Sequence, residues 1–201
     1  MNLNKTYNEL YKTKDKDTLY QYSESIDEAD RVNIARNINC PIEILEKLSD
    51  DSSVLVINSI ILNKNCSVDL LRKFSFYKSH VIRDTLAKDY KTPIDVLKRL
   101  SNHDIFIKTT IASNPNCPVD ILRKFIKEPE HHSQIKINVM NNINCTVDIL
   151  EELSNDNNYS VIIELVKINC PAHILKKIYK KYPTLRDKIK KHPNWELNDF
   201  E

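Results

Sequence analysis

The chain has 201 residues, with 30 Lys or Arg, 28 Asp or Glu and a formal net charge of +2. This balance argues against a general attraction to nucleic acid, so any such contact must use a local patch. The apolar stretches are short and interrupted by polar residues, far below the ~20 residues that span a bilayer, so we expect no membrane insertion. Residues 1–10 contain no continuous apolar run, so we expect no secretory leader and a cytoplasmic location.

A short helix motif recurs along nearly the whole chain. Its first residue, here called the anchor, is Pro41, Ser67, Pro93, Pro118, Thr146, Pro171 and Glu196. The anchors are 26, 26, 25, 28, 25 and 25 residues apart. A fixed period of this length indicates stacked supersecondary units that bury a face only against their neighbours. We therefore predict an all-α solenoid of about seven two-helix repeats of 25–28 residues, numbered 1 to 7 by their anchors.

The N-terminal residues continue the same phase upstream of repeat 1. Leu19 and Tyr22 precede their counterparts Leu45 and Leu48 by 26 residues. The period leaves no linker between halves, so we expect a single domain. The predicted organisation is a degenerate N-terminal capping repeat, a helical repeat array and a C-terminal tail, at 1–30, 31–197 and 198–201.

Each repeat is predicted to contain two short helices. The first precedes the motif, for example at 32–37, 82–88 and 107–113. In the second, positions 3, 4 and 7 after the anchor are apolar, which is one face of an α-helix. Position 4 is occupied by Leu45, Leu71, Leu97, Leu122, Leu150 and Leu175. We predict Cys or Thr at the N-cap, the anchor proline at the first helical position and an acid two residues after the anchor.

Asparagine recurs in the turn between the two helices. The row is Asn39, Asn65, Asn116, Asn144, Asn169 and Asn194. The chain contains no glycine, and Asn is the residue that otherwise adopts the left-handed conformation at helix C-termini. We therefore predict left-handed C-caps at these positions. The alternative, a substrate-binding row, is not needed to explain the pattern.

All five cysteines stand directly before an anchor, at Cys40, Cys66, Cys117, Cys145 and Cys170. Adjacent helices in a stack lie ~8–10 Å apart, too far for equivalent cysteines to form a disulfide or share a zinc ion. No Cys-x-x-Cys pair is present. We predict buried, unbridged thiols that bind no metal.

Positions 5 and 6 of the second helices carry a row of bases, here called the basic ridge. The position-6 bases Lys47, Lys73, Arg99 and Lys124 each follow an acid by four residues, which predicts ion pairs within each helix. Position 5 has no such acid. We therefore predict that the bases most available to a ligand are Arg72, Lys98, Arg123 and Lys176. Glu151 and Glu152 interrupt the ridge in repeat 5.

The C-terminal end is more basic than the rest of the chain. Residues 176–191 contain eight Lys or Arg and one acid, which adds Lys180, Lys181, Lys188 and Lys190 to the candidate ligand-binding residues. The longest anchor spacing enlarges one loop, where His131 and His132 form a candidate rim. A second basic row runs through the first helices as Arg31, Arg83, Lys108, Lys136 and Arg186. This row either pairs with acids such as Asp30 and Asp104 or contacts a ligand.

The repeat resembles the variant leucine-rich repeat. The motif residues in repeat 4 are Ile107, Lys108, Ile111, Ala112, Asn114, Pro115, Pro118 and Leu122, and those near the C-terminus are Leu185, Arg186, Ile189, His192 and Pro193. The resemblance implies a right-handed superhelix of α-helices and partly 3₁₀ second helices, related in shape to HEAT and armadillo solenoids. Ile57 and Ile162 replace the basic residue of the motif. Some members carry an N-terminal iron–sulfur module, but residues 1–39 contain no cysteine, and we expect no cofactor.

Three functional hypotheses remain. The first is a non-enzymatic, intracellular scaffold that binds a protein partner, because stacked repeats form extended surfaces and no catalytic constellation is evident. The alternative is a nucleic-acid-binding repeat protein that uses the basic ridge and the basic C-terminal end. An enzyme is the weakest hypothesis, because no spacing makes a nucleophile and a base converge, and no small-molecule substrate is implied.

Overall fold

The structure is a computed structural model that describes residues 7–129 and 132–195. Every regular element in these residues is a helix and none is a strand, which confirms the all-α prediction. The α-helices are α1 Tyr7–Lys12, α2 Lys16–Ser23, α3 Glu28–Arg36, α4 Ile42–Leu48, α5 Val54–Leu62, α6 Val68–Phe74, α7 His80–Lys88, α8 Ile94–Leu100, α9 Ile105–Ala112, α10 Val119–Phe125, α11 Ser133–Met140, α12 Val147–Leu153, α13 Tyr159–Leu165, α14 Ala172–Lys181 and α15 Arg186–Ile189. A 3₁₀ helix at Pro183–Leu185 leads into α15.

The chain divides into two compact modules, residues 1–100 and 101–201. In the N-terminal module the first helices of successive repeats are neighbours, so α3 contacts α5 and α5 contacts α7. In the C-terminal module α11 contacts both α9 and α13 in the same way. This arrangement agrees with a helical repeat protein. The right-handed superhelix of seven repeats and the single domain stay predictions.

The core of each repeat is the predicted apolar stripe of the second helix. Leu45, Leu71, Leu97, Leu122 and Leu175 are fully buried, and Leu150 is 8% exposed. The apolar residues at positions 3 and 7 are buried as well, and the first helices contribute pairs such as Ile111 and Ala112. Burial of this kind contributes about 1.5–3 kcal/mol per large apolar side chain, which is what holds helices of seven residues in place.

The helix boundaries differ from the predicted ones in a consistent way. The N-cap of the second helix is the anchor itself and not the preceding cysteine, as Pro41 shows with φ −71° and ψ 157°. Proline fits there because its fixed φ suits the extended N-cap as well as the first helical position. Asp15 caps α2 at the equivalent place, 26 residues earlier, which confirms the upstream phase. The first helices begin earlier than predicted, and α3 starts at Glu28, within the predicted capping repeat.

The second helices are α-helices in all the repeats that the structure describes, so their implied 3₁₀ character is wrong. Tighter i→i+3 bonds occur at the helix ends, for example from Ile44 N to Pro41 O at 3.1 Å and from Ser49 N to Glu46 O at 3.1 Å. The predicted left-handed asparagine caps are also wrong, because no described residue has a positive φ. The turns instead continue with right-handed and extended backbone, which side-chain hydrogen bonds stabilise.

Two rows of asparagines build these turns and join each repeat to the one before. In the row that lies three residues before the cysteines, the Oδ1 of Asn142 accepts from Asn144 N at 2.9 Å. Its Nδ2 donates to Ala112 O at 2.7 Å and Asn114 O at 2.9 Å in the preceding repeat. In the predicted row, Asn144 Nδ2 donates to Pro115 O at 2.8 Å and Cys117 O at 3.0 Å. The asparagines therefore satisfy carbonyls that the helix ends leave without partners.

The basic row of the first helices has a structural role. Arg31 Nε lies 2.6 Å from Asp51 Oδ2, and Lys136 Nζ lies 2.6 Å from Asp156 Oδ2. Lys108 pairs with Glu128 in the same way, at 2.6 Å. Each acid follows the second helix of the same repeat by a few residues, so the predicted partners Asp30 and Asp104 were wrong. Asp30 instead accepts from Ser25 Oγ, and Asp104 caps α9.

Repeats 2 and 6, which lack the base, also lack the acid. Ile57 and Ile162 are fully buried in place of the base. Tyr77 and Tyr182 stand where the acid would be, and their hydroxyls donate to Ser49 O at 3.1 Å and Asp156 O at 3.4 Å. An ion pair and an Ile–Tyr pair therefore fill the same place in this fold.

Candidate functional site

The basic ridge connects neighbouring second helices. Arg72 Nε lies 3.0 Å from Asp95 Oδ2 of repeat 3, and its Nη1 lies 3.1 Å from Asp69 Oδ1 of its own helix. These bonds, the one to Asp95 first, raise the pKa of Arg72, and the guanidinium lowers the pKa of Asp95. Arg123 pairs in the same manner with Asp148 of repeat 5. The prediction that position 5 lacks an acidic partner is therefore wrong for both arginines.

The position-6 bases contact the preceding repeat and not the acid four residues earlier. Lys73 Nζ lies 2.6 Å from Ser49 Oγ and 2.7 Å from Asp50 Oδ1, at the C-terminal end of α4. Lys47 pairs with Glu24, and that bond, followed by one to Tyr20, raises the pKa of Lys47. A cation at a helix C-terminus also interacts favourably with the helix dipole. The position-6 bases thus bond to the preceding repeat, whereas the position-5 arginines bond to the following one.

Repeat 5 exchanges the acid and the base of this arrangement. Glu151 stands at position 5, where repeats 2, 3, 4 and 6 carry a base, and His173 stands where the next repeat would carry its acid. Glu151 Oε1 lies 2.7 Å from His173 Nε2. Glu151 interrupts the row of bases in the sequence. Its bond to His173 nevertheless keeps the contact between neighbouring repeats, with the acid and the base exchanged.

The other predicted ligand residues are dispersed. Lys98 is exposed and Lys176 is half-buried, and each takes part in interactions within the structure. His132 is half-buried with Nδ1 3.8 Å from Glu128 Oε2, the carboxylate that also binds Lys108. His131 lies outside the described residues. That any of these residues binds a ligand stays a prediction.

The C-terminal basic segment, residues 176–191, differs from the ridge because most of its bases form no ion pair with the described residues. Within residues 7–129 and 132–195, seven of its eight bases form no ion pair, and all seven are exposed. These seven are Lys177, Lys180, Lys181, Arg186, Lys188, Lys190 and Lys191. Arg186 instead donates to Tyr179 O at 3.2 Å, with its guanidinium 5.1 Å from the Tyr179 ring.

A cleft of about 470 Å³ lies between the C-terminal end of α5 and α7. We call it the first-helix cleft. Leu62 and Tyr90 line it and are 60% and 68% exposed, so two large apolar side chains remain in contact with solvent. Lys64, which is exposed and forms no ion pair in the described part of the chain, and Lys88, which is 2.6 Å from Asp84, lie beside them. The repeat pattern of the sequence does not predict this cleft, because its residues vary between repeats.

The asparagine network changes at this cleft. Repeat 3 has Asp89 and Lys91 where neighbouring repeats have two asparagines. Lys91 Nζ donates to Ile61 O at 2.9 Å and Asn63 O at 2.8 Å, the carbonyls that an asparagine amide would otherwise bind. It also lies 3.4 Å from Asp89 Oδ2. In repeat 3 the Lys91 ammonium group thus replaces the asparagine amide, and Asp89 balances its charge.

The five cysteines are free thiols, and all but the half-buried Cys145 are buried. Burial raises the pKa of Cys40, Cys117 and Cys170 to about 12, and of Cys66 and Cys145 to about 11. Each thiol of the first four repeats that have one lies 3.7–3.9 Å from the anchor carbonyl oxygen. The burial and the lack of bridges agree with a packing role.

The buried asparagine row is the main feature that the sequence interpretation missed. Its members are Asn37, Asn63, Asn114 and Asn142, each three residues before a cysteine. These asparagines recur with the same spacing as the cysteines, so the repeat spacing could have identified them as well. His192 takes the place in the last repeat, with Nδ1 accepting from Asn194 N at 3.1 Å and Nε2 donating to Ile168 O at 2.8 Å.

No three His, Cys, Asp or Glu side chains among the described residues come together as a metal-binding group. None of their helices combines the length and apolar character needed to cross a bilayer.

Comparisons of the chain with models of protein families, with curated proteins and with solved structures find no match. The resemblance to the variant leucine-rich repeat therefore rests on the motif residues alone.

Proposed function

We propose that the chain is a non-enzymatic helical-repeat scaffold that binds a protein partner at the first-helix cleft. The observation that carries the proposal is the exposure of Leu62 and Tyr90 beside a cleft of about 470 Å³. Protein interfaces have an apolar, aromatic centre and a polar rim. Lys64 and the Lys88–Asp84 pair supply such a rim. Lys64 forms no ion pair with the described residues, which favours a partner segment with an acidic residue beside an apolar side chain.

Further exposed apolar residues extend this surface along the first helices of the N-terminal module. Leu55 is 54% exposed and Val81 is 51% exposed, at equivalent positions of α5 and α7. The residues that join the repeats recur from repeat to repeat, whereas the cleft residues Leu62 and Tyr90 do not. A constant frame with a variable surface is typical of repeat proteins that bind other macromolecules.

The variant leucine-rich repeat assignment and the right-handed solenoid belong to the same proposal. The motif residues and the side-by-side first helices support them. The five unbridged thiols support a location in the cytoplasm, where thiols stay reduced.

The proposal is tested by substitutions that make the cleft acidic. Tagged wild-type chain and a Leu62→Asp/Tyr90→Asp variant are compared in affinity capture from cell lysate, with nuclease, followed by calorimetry with the purified partner. We expect the variant to lose its partner, because buried charge opposes an apolar contact. The control is Val68→Asp/Ile94→Asp, which alters two side chains of similar exposure, 44% and 50%, on second helices. Equal binding by all three proteins would reject the cleft as the docking site.

A further inference from the structure

The C-terminal basic segment is a second surface whose composition differs from that of the first-helix cleft. Its bases lie on α14, on α15 and in the turn after α15. Seven of its eight bases are exposed without an ion pair to any residue in 7–129 or 132–195. Elsewhere in this fold, bases of the same type are used to join repeats, as Arg72 and Lys73 are. The C-terminal charges are therefore not explained by packing.

The segment lacks what a protein interface needs. No large apolar side chain of residues 160–195 is exposed, the last one along the described chain being Tyr159 at 44%. A protein interface without an apolar centre is unusual, whereas a polyphosphate requires only cations. Seven of the eight bases are lysines, which act as point charges and lack the planar fork of arginine. This composition favours attraction to a dense row of phosphates over bidentate contacts to base edges.

We propose that the C-terminal basic segment binds the phosphate backbone of nucleic acid without reading its sequence. The local charge is sufficient, since residues 176–201 contain eight bases against four acids although the whole chain carries only +2. The aromatic rings nearby are already in contact with each other, Tyr179 and Trp195 being stacked at 4.8 Å. We therefore assign them no role in base stacking, and duplex and single strand should both bind. This surface is separate from the protein-binding function proposed for the cleft.

Salt dependence distinguishes phosphate contacts from other binding. Fluorescence anisotropy of a labelled mixed-sequence duplex is measured from about 50 to about 200 mM salt. The logarithm of affinity should fall linearly with the logarithm of salt, by about 0.9 for each phosphate contacted. A labelled single strand should give a shallower slope, about 0.7 per contact. A second duplex of unrelated sequence should bind equally, and a clear preference between the two would overturn the claim that sequence is not read.

The variant for this test is Lys180→Gln/Lys181→Gln/Lys188→Gln. Loss of three phosphate contacts should reduce the duplex slope by about 2.7 and weaken binding at least about tenfold at about 100 mM salt. The matched control is Lys16→Gln/Lys78→Gln/Lys127→Gln, which removes the same charge at three exposed lysines outside the segment. The helical signal and melting temperature should match the wild type for both variants.

Two outcomes would overturn the proposal. One is equal weakening by both triple variants, because binding would then depend on total charge and not on the segment. The other is competition by poly-L-glutamate as effective as that of unlabelled duplex at equal charge concentration, which would place the ligand among acidic proteins. Neither outcome bears on the protein-binding function proposed for the first-helix cleft. That function is tested with variants that leave the C-terminal bases unchanged.

Discussion

The buried asparagine side chains show how much a single residue type contributes to these turns. Asn142 uses Oδ1 to close its own turn and both Nδ2 hydrogens to bind carbonyls of the preceding repeat. Aspartate has the same shape, but its carboxylate only accepts hydrogen bonds. The position therefore requires donors as well as the correct size.

We predict that Asn142→Asp lowers the free energy of unfolding by about 2–4 kcal/mol, because Ala112 O and Asn114 O each lose the hydrogen bond from the Asn142 amide and a charge is buried. Urea denaturation at neutral pH measures this. Asn141→Asp is the control, since Asn141 is exposed and bonds only within its own helix, to Ile137 O at 2.9 Å. Similar losses in the two variants would contradict the assigned role.

Repeat 3 offers a second test of the same network through the exchange of Asp89 and Lys91. Lys91→Asn should destabilise the chain, because Asp89 keeps its charge while Ile61 O and Asn63 O lose the ammonium donor. Adding Asp89→Asn should restore most of the loss, since it supplies an amide as in neighbouring repeats. We expect a coupling energy of about 1–2 kcal/mol in a double-mutant cycle, and simple additivity would show that the exchange is coincidental.

The thiols respond to pH in a direction that their burial determines. An unfolded thiol ionises near 9.0, whereas Cys40 in the fold stays protonated to about 12. The folded state therefore holds more protons in this interval, and stability should fall as pH rises above about 9. At pH 8 alkylation should be slow, with Cys145 reacting first because it is the only half-buried thiol of the five. Mass spectrometry of partially alkylated protein identifies the order, and rapid labelling of Cys40 would contradict it.

At the scale of the helices, the sequence predicts the elements better than the contacts between them. The positions of the second helices and their buried leucines follow from periodicity, because burial repeats with the helical turn. The partners of Arg72 and Lys73 do not. Spacing within a helix can indicate only i, i+3 and i, i+4 pairs, such as Arg72 with Asp69, whereas the carboxylates that join the repeats lie 23 residues away.

The Ile–Tyr and base–acid alternatives at one place in the repeat give a prediction for elements. Lys136 and Asp156 form a nearly buried pair, with side chains 5% and 7% exposed. Lys136→Ile alone should cost about 3–5 kcal/mol, because it leaves the Asp156 carboxylate buried and unpaired. Lys136→Ile/Asp156→Tyr should recover most of this, since repeats 2 and 6 use that combination. Thermal and urea denaturation compare the three proteins, and a double variant no more stable than the single one would reject the equivalence.

For the whole molecule, the period predicts the helical repeat pattern because every repeat buries the same apolar positions against its neighbours. What it does not predict lies in differences between repeats: the cleft near Tyr90, the exchange of acid and base at Glu151, and the lysines after Lys176 that form no ion pair with the described residues. These depend on which side chains meet across neighbouring repeats. The repeat pattern shows only what the repeats have in common, so it does not contain these individual side-chain contacts.

A substitution in one repeat should affect its neighbours as well. Leu122→Ala removes a fully buried side chain and should cost about 2–5 kcal/mol. Hydrogen exchange should show lost protection in α9 and α11 too, because both contact α10. Lys127→Ala, at an exposed position, should change stability by less than about 0.5 kcal/mol. Loss of protection confined to α10 would mean that the repeats are independent.

The reversed pair of Glu151 and His173 restricts how the repeat number can change during evolution. Deleting repeat 5 would bring Arg123 opposite His173, two basic groups, and duplicating it would bring Glu151 opposite Asp148, two acids. Duplicating repeat 2 carries no such conflict, because Arg72 would meet Asp69. Duplication of repeat 2 is therefore easier than gain or loss of repeat 5, and the exchange of acid and base fixes the order of the repeats around repeat 5.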